Sequence, residues 1–512
     1  MFDKIVSRKA LIEEISCAGN IIDVYERFKD EPFCNLLLNG TNQDFVRYSY
    51  FGCSPFLIIK TKNNNINLEL NGKKHSFKSN PFYILKKIAQ TYRLIGAPGK
   101  FNLLAGGIGY LSYDLCHFTE KLPRKCVDDL KLPDCYFAFY RLICIHDSRT
   151  GKMWAASVDF LEPNAKKAAA SARFEIKRFK NKLMEPHGFK TVLPIFTSFG
   201  STPRCLAIHP QVHPHGFQKI GEKTPFNINL AETQKGAVAV IKAKSNFSKQ
   251  DFLKAIRRVK AYIIEGDIYQ VNLSQRFRAA FKGDAFCLFK SLSIINPAPF
   301  SCFMNFNNFT IVGSSPERFL KVKNCIVQTR PMKGTRPRGN NRKENNALSK
   351  ELLASKKDDA ELSMIVDLER NDIGKVCEFG SVKVSEHKNL ETYSTVFQLT
   401  STVTGKMNAA CDCIDLLRAC FPGGSITGCP KIRAMEIIDE LEPSARSVYT
   451  GSMGYIGFNG TMDFNIAIRT IILKHGEAFF QVGSGIVADS DPLEEYNETL
   501  DKAKAMFLAL GK

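Results

Sequence analysis

Gln328-Thr329-Arg330-Pro331-Met332-Lys333-Gly334-Thr335-Arg336 is the stretch around which the chain is organised. It follows Ile311-Val312-Gly313-Ser314-Ser315-Pro316-Glu317-Arg318-Phe319-Leu320-Lys321-Val322, which reads as strand, turn and strand. Pro331 fixes its own φ and cannot donate to a ladder, so Met332 and Lys333 are presented stiffly. Gly334 lets another chain segment or a ligand approach with no Cβ in the way. A lysine held between them is a candidate nucleophile, because a primary amine attacks once it has lost its proton. An isolated Pro-x-Lys-Gly would be a surface lysine beside a turn; the segments around this one decide otherwise.

The bulk numbers set the frame. With 512 residues, 44% of them apolar and 24% charged, the chain is globular and long enough for one large or two medium cores. Charges at Asp3, Lys4, Arg8, Lys9, Glu13 and Glu14 leave no apolar leader, and no apolar run is long enough to span a bilayer. Sixteen scattered cysteines show no Cys-x-x-Cys pair, so reduced thiols and a cytoplasmic location are expected. The formal charge of +20 is spread along the chain without a nucleic-acid motif, which argues against nucleic acid as a partner. A positive field would, however, steer an anionic substrate.

Three segments differ in character. Residues 1–185 alternate short β-like runs with turns, residues 186–244 are rich in Pro, His, Gly, Thr and Lys and read as an insert or linker, and 245–512 form a third segment. His209, His213 and His215 in the insert lack a completing shell and carry prolines between them, so a loop is expected rather than a metal site. Ser248 and Asp251 start a helix with Phe252, Ile256, Val259 and Ile263 on one face, ending near Gly266. Asp267 to Phe277 then reads as a strand carrying Gln270, and Arg336 to Lys343 as a basic surface loop. Lys357 to Leu368 is a predicted helix with Asp358 and Glu361 on one face; Leu493 to Leu510 is another, with Glu495 and Glu498 likewise three apart. Such pairs ordinarily mark a solvated face. Facing one another across a cavity, they would make an oxygen-only Mg2+ site. Gly423 to Pro430 feeds a helix from Lys431 to Leu441, with Pro430 in its first position and amide groups free for a carboxylate. Arg469, on a predicted strand among isoleucines, can fork a carboxylate.

Six blocks resemble the chorismate-utilising enzymes, which include the large subunits of anthranilate and aminodeoxychorismate synthases and the isochorismate and salicylate synthases. They are Glu265–Arg276, Ser315–Phe319, Met364–Asp372, Phe421–Lys431, Ile468–Thr470 and Gly483–Ser490. The resemblance implies an α+β fold: two large, mostly antiparallel β-sheets packed as a sandwich, with helices outside. It implies that 245–512 is the catalytic segment, with Lys333 as nucleophile and Glu317 as acid. Mg2+ would be held by Glu361 and Glu498 with Asp358 and Glu495 in support. Arg469 and Tyr449 would hold the enolpyruvyl carboxylate, with Gly483, Gly485 and Lys502 nearby. Gln270, Gly334 and Thr335 would line the ring, and Ser425, Thr427 and Gly428 would supply the anion-binding turn.

Departures from the family pattern choose a branch. Gln270 stands where the isochorismate and salicylate enzymes resemble one another in a water-activating lysine, and an amide cannot be that base. Gln398 stands where anthranilate synthases look to have a histidine that assists loss of pyruvate, and Lys333 where they look to have alanine. Ser301 in Ala298-Pro-Phe-Ser301 is similar to the aminodeoxychorismate type. Amination of chorismate at C4 without elimination is therefore expected, with amination at C2 and loss of pyruvate as the alternative. The neutral amine that attack requires would be favoured if Arg330 and Arg336 pointed inward. Leu37-Leu38-Asn39-Gly40 departs from the Leu-Leu-Glu-Ser strand of tryptophan-inhibited relatives, so tryptophan feedback is not expected. Cys429 replaces a small alanine. No Gly-x-Cys-x-Gly elbow with a following His-x-Glu is present, so ammonia is expected from a separate glutamine amidotransferase subunit.

Overall fold

The computed structural model describes residues 2, 4–16, 19–41, 46–96, 99–185, 226–228, 241–393 and 396–511. Two long strands, Tyr48–Lys62 and Cys135–Asp147, carry the architecture. They pair antiparallel from Tyr48 opposite Asp147 to Thr61 opposite Cys135, with a register shift between Pro55 and Leu57. Pro55 lacks a donor and Ser54 sits at φ +54°, so the ladder is interrupted and bends there. Each half of the pair then belongs to a different sheet.

From the Tyr48–Cys53 half the first sheet runs outward through Asn35–Leu38, Phe300–Asn305, Thr310–Ser315, Thr470–Lys474, Glu477–Ile486 and Gln270–Ala280. From the Leu57–Thr61 half the second runs through Cys135–Asp147, Gly106–Leu111, Ser452–Gly457, Met462–Asn465, Arg318–Lys323, Ile326–Arg330 and Val396–Lys406. All these pairings are antiparallel. The sheets face each other across a layer in which Met304, Ile311 and Ile472 of the first meet Tyr110, Tyr136, Met453 and Tyr455 of the second. Phe306 stacks on Tyr136 at 4.3 Å between ring centres.

Helices cover both outer faces. Ile21–Glu26, Ala285–Ile295 and Pro492–Leu510 pack on the first sheet, as in the edge-on contact of Phe277 with Phe507, and Ala165–Met184 packs on Met153–Ser157, Leu11–Ile15 and Cys135–Asp147. Pro81–Thr91, Lys356–Gly374 and Cys413–Cys420 pack on the second. The expected sandwich with helices outside is the fold found.

Segments 1–185 and 245–512 interleave in both sheets: Asn35–Leu38 pairs with Phe300–Asn305, and Gly106–Leu111 with Ser452–Gly457. The changes of character near 185 and 245 are therefore not packing boundaries. Of the 186–244 segment, strand Phe226–Ile228 pairs with Ile241–Ser245, and His209 to His215 lie outside the described residues. Helix Lys249–Ile264 starts as expected, with the Ser248 hydroxyl accepting the Asp251 N–H at 3.1 Å. Arg336 to Lys343 is not one loop. Strand Met332–Pro337 runs into it, and helix Arg342–Ala354 begins inside it because the Asn341 side chain caps the Glu344 N–H at 2.9 Å. The predicted 357–368 helix extends to Lys356–Gly374.

Candidate active site

Both halves of the opening stretch lie against strand Val396–Lys406: Thr329 opposite Val403, Lys333 opposite Leu399, then Thr335 opposite Gln398 after a register shift. Pro331 separates the two short strands, and its carbonyl accepts the Ser401 N–H at 3.1 Å. Gly334 makes the shift, with φ +69° and Asp358 so close that a Cβ would sit 3.0 Å from it. The Lys333 side chain is thereby turned into the space between helix Lys356–Gly374 and the first sheet. A Cβ on Gly485 would lie 3.4 Å from Lys333 Nζ and 2.3 Å from the Gln270 amide nitrogen, so only glycine leaves this space open. Among the described residues the amine makes no hydrogen bond or ion pair. Its charge is felt by the carboxyls of Glu317, Glu361 and Glu498. Arg330 and Arg336 do not direct their charge at it: Arg330 pairs with buried Glu391, and Arg336 with Glu351 at 2.7 Å and Asp358 at 3.2 Å.

Glu317 follows strand Thr310–Ser315 and is buried at 5% exposure. Burial pushes its carboxyl up to about 7, against the Ser425 hydroxyl and Lys333, with the charge of Glu369 adding to the rise. Near neutral pH a carboxyl in that state can hold a proton and give it up, which is what a general acid needs.

The anion-binding side is partly as expected. Ser425, in the turn Gly424–Ile426, faces Glu317. Thr427 and Gly428 instead build the turn: the Thr427 hydroxyl donates to the Gly423 carbonyl at 2.9 Å, and Gly428 pairs with Val271. Thr335 is exposed at the rim and accepts from the Gln398 amide at 3.3 Å. Pro430 caps helix Lys431–Leu441 rather than occupying its first position. Arg469 is not strand-borne; it holds φ +51° in the turn before Thr470–Lys474. Its guanidinium makes no hydrogen bond or ion pair among the described residues, and burial lowers its pKa, with nearby Tyr449 and Glu498 acting against that fall. Tyr449 is buried and faces Asn272, and the Gly483 carbonyl accepts from Lys502 at 2.9 Å. Gln270 Oε1, Asn272 Oδ1 and Glu495 Oε2 are buried without hydrogen-bond partners. Each such atom costs about 1–3 kcal/mol if left unmet, which points to a ligand.

Of the four acids, three are already engaged: Asp358 by Arg336, Glu495 by the Ser490 hydroxyl at 2.6 Å, and Glu498 by Lys502. Burial raises Glu361, and the charges of Asp358 and Glu498 add to the rise. Glu498 lies at the rim; burial works against its charge, but Lys502, 2.6 Å away, holds it below the usual carboxylate range. Among the described residues no three acidic, histidine or cysteine side chains surround a metal by themselves. Glu361 and Glu498 form an oxygen-only pair, which suits Mg2+ that keeps waters and takes further oxygens from a substrate.

Ser301 does not belong to this constellation. It lies where strand Asn35–Leu38 meets Phe300–Asn305, donating to the Ala298 carbonyl at 3.1 Å, and the Gly40 N–H bonds that same carbonyl.

A family model described as chorismate binding enzyme matches residues 33–508. The chain belongs to the chorismate-binding enzymes. It is 36% identical over 491 residues to anthranilate synthase component 1 of Acetivibrio thermocellus, covering 96% of this chain and 92% of that one. It is 34% identical over 468 residues to aminodeoxychorismate synthase component 1 of Bacillus subtilis, covering 91% and 89%. The crystal structure of anthranilate synthase component I from Streptococcus pneumoniae superposes with a TM-score of 0.71 at 29% identity, covering 91% of this chain and 93% of that one.

In this chorismate-binding enzyme, sequence reasoning missed Glu369. It is buried on helix Lys356–Gly374 and accepts the Gly424 N–H at 3.0 Å and the Thr329 hydroxyl at 3.2 Å. It thus ties the strand leading to Lys333 to the turn that carries Ser425. Burial and then Asp372 push its carboxyl up to about 7. The signal was legible: the apolar stripe Leu362, Ile365, Val366, Ile373 passes through Glu369 and Asp372, and acids on a buried face are rarely there for packing. Glu369→Gln removes the like charge facing Glu317 and lowers its pKa. The fall of kcat with rising pH is then expected to begin at lower pH than in the wild type. A pH–rate profile of the variant checks this.

Proposed function

We propose that this enzyme aminates chorismate at C4, giving 4-amino-4-deoxychorismate with the enolpyruvyl group retained. The observation that carries the reading is the unpaired Lys333 amine, set against Gly485 and beside buried, partly protonated Glu317. The amine attacks C2, the double bonds shift, and the C4 hydroxyl leaves as water with the proton of Glu317. Ammonia then adds at C4, the double bonds shift back, and the lysine is released. Arg469 and Tyr449 hold the enolpyruvyl carboxylate, and the amide of Gln270 can bond the substrate without activating water. Glu361 and Glu498 would hold Mg2+, which as a Lewis acid would stabilise charge developing on the ring carboxylate. A glutamine amidotransferase subunit is the proposed source of ammonia, and free ammonium replaces it in vitro.

The relative at 36% identity favours a second reading, amination at C2 with loss of pyruvate. Against it stand Lys333 and Gln398, whose side chain is bonded to Thr335 and cannot shuttle a proton at neutral pH. Purified protein with chorismate, Mg2+ and ammonium chloride is expected to give a product that keeps its enolpyruvyl group. Pyruvate released in step with chorismate consumption would instead establish the second reading.

A further inference from the structure

A cavity of about 220 Å3 beside helix Lys431–Leu441 shares no lining residue with the surroundings of Lys333. Most of the polar groups around it have hydrogen-bond or ion-pair partners. Lys62 pairs with Asp128 at 2.6 Å and Asp134 at 2.9 Å, and Asp439 accepts the Lys125 N–H at 2.8 Å. Arg124 donates to Asn63 at 2.7 Å, and buried Arg446 pairs with Glu442 at 2.7 Å. Three groups are left. Asp114 has no ion pair among the described residues; the nearby charge of Lys62 and then the backbone N–H of Ser447 favour its ionised form. The buried Tyr113 hydroxyl has no partner, and neither has His117 Nδ1. Burial, reinforced by Arg124, lowers the His117 pKa and keeps the imidazole neutral, so its free nitrogen can accept. A carboxylate, a phenol and a neutral imidazole around one small space ask for a compact cation rich in N–H donors.

The place of the cavity fits such a ligand. The Arg446 guanidinium lies 5.0 Å from the Tyr113 ring and 5.8 Å from the ring of Tyr449, the tyrosine next to Arg469. The Arg446 guanidinium, which lines this cavity, therefore also reaches the tyrosine beside Arg469. We propose that the cavity holds the nitrogen substrate as ammonium, bound by Asp114, Tyr113 and His117, and passes it on as ammonia. This rests on the amination reading, in either of its forms. An N–H bond of ammonium breaks, the Asp114 carboxylate takes the proton, and the electron pair stays on nitrogen. The neutral molecule can then pass Arg446, while the proton leaves through the mouth at exposed Asn63 and Arg124. A raised Asp114 pKa of about 7, set by burial and then Asp134, suits a group that accepts and returns a proton near neutrality.

The test uses the full chain with chorismate and Mg2+, varying ammonium chloride at constant ionic strength. Asp114→Asn and Tyr113→Phe are each expected to raise KM for ammonium roughly tenfold, the worth of one charge-assisted hydrogen bond, with KM for chorismate unchanged. An unchanged KM for ammonium in both folded variants would overturn the assignment. A second arm reads binding without turnover: in histidine-labelled protein the His117 NMR signal, assigned with His117→Gln, should shift with ammonium chloride and not with sodium chloride. That response should vanish in Asp114→Asn; no response in the wild type also overturns the proposal. A wild type that binds ammonium here yet aminates nothing would sink the amination reading and leave the site standing.

Discussion

Lys333→Ala is expected to abolish amination of chorismate, with a loss in kcat on the order of 10^3-fold or more, while the protein stays folded. The two halves of this expectation come from the same geometry. The amine makes no hydrogen bond or ion pair among the described residues, so its removal leaves no partner stranded. The change in stability should stay within about 1 kcal/mol. In the proposed mechanism it is the group that forms the bond to C2, and removing a group that acts directly on the reacting atoms removes the step rather than slowing it. Gln270 and Gln398 carry no charge and cannot replace it. Chorismate should still bind, because Arg469, Tyr449 and the Gly483–Gly485 segment are untouched. Product analysis with parallel thermal melts checks both halves; wild-type turnover in a folded variant would remove Lys333 from the mechanism.

Glu317→Gln is expected to move activity and stability in opposite directions. As the proposed acid that protonates the leaving hydroxyl, Glu317 should contribute about 10^2–10^4-fold to kcat. Its folded-state pKa of about 7 stands above the ordinary glutamate value of 4.5. The native state therefore binds more protons than the unfolded chain between those values, and stability is given up as pH rises through that window. Above pH 7 the cost is about 3 kcal/mol. Glutamine keeps the shape without that cost, so the variant should unfold at higher temperature than the wild type at pH 8, and this advantage should shrink toward pH 5. A variant both inactive and less stable at pH 8 would mean that Glu317 is held as a paired, ionised carboxylate. The wild-type kcat should fall as pH rises past about 7, the limb that Glu369→Gln shifts.

Much of this could be read in the chain because the informative residues are local. Pro331 and Gly334 set the presentation of Lys333 through their own backbone limits, and Ser248 and Asp251 mark a helix start that depends on no distant contact. The interleaving of segments 1–185 and 245–512 was not legible, since strand partners such as Gly106–Leu111 and Ser452–Gly457 lie far apart in sequence. Asp358 and Arg336 illustrate the same limit: spacing put Asp358 on the face of Glu361, but only tertiary structure gives it an arginine partner. Thr427 looked like a ligand group because it sits in a Gly-rich turn, and its hydroxyl is spent on that turn's own carbonyls. Arg469 kept its place next to Tyr449 although its backbone is a turn and not a strand.

The central claim is that a lysine, and not water or ammonia, makes the first bond to the ring. Its most direct test is the intact mass of the protein after incubation with chorismate and Mg2+ in the absence of ammonium. The chain should gain the mass of chorismate less one water, localised to Lys333 by peptide mapping and discharged on adding ammonium. Unmodified protein that nevertheless converts chorismate to an aminated product once ammonium is supplied would contradict it.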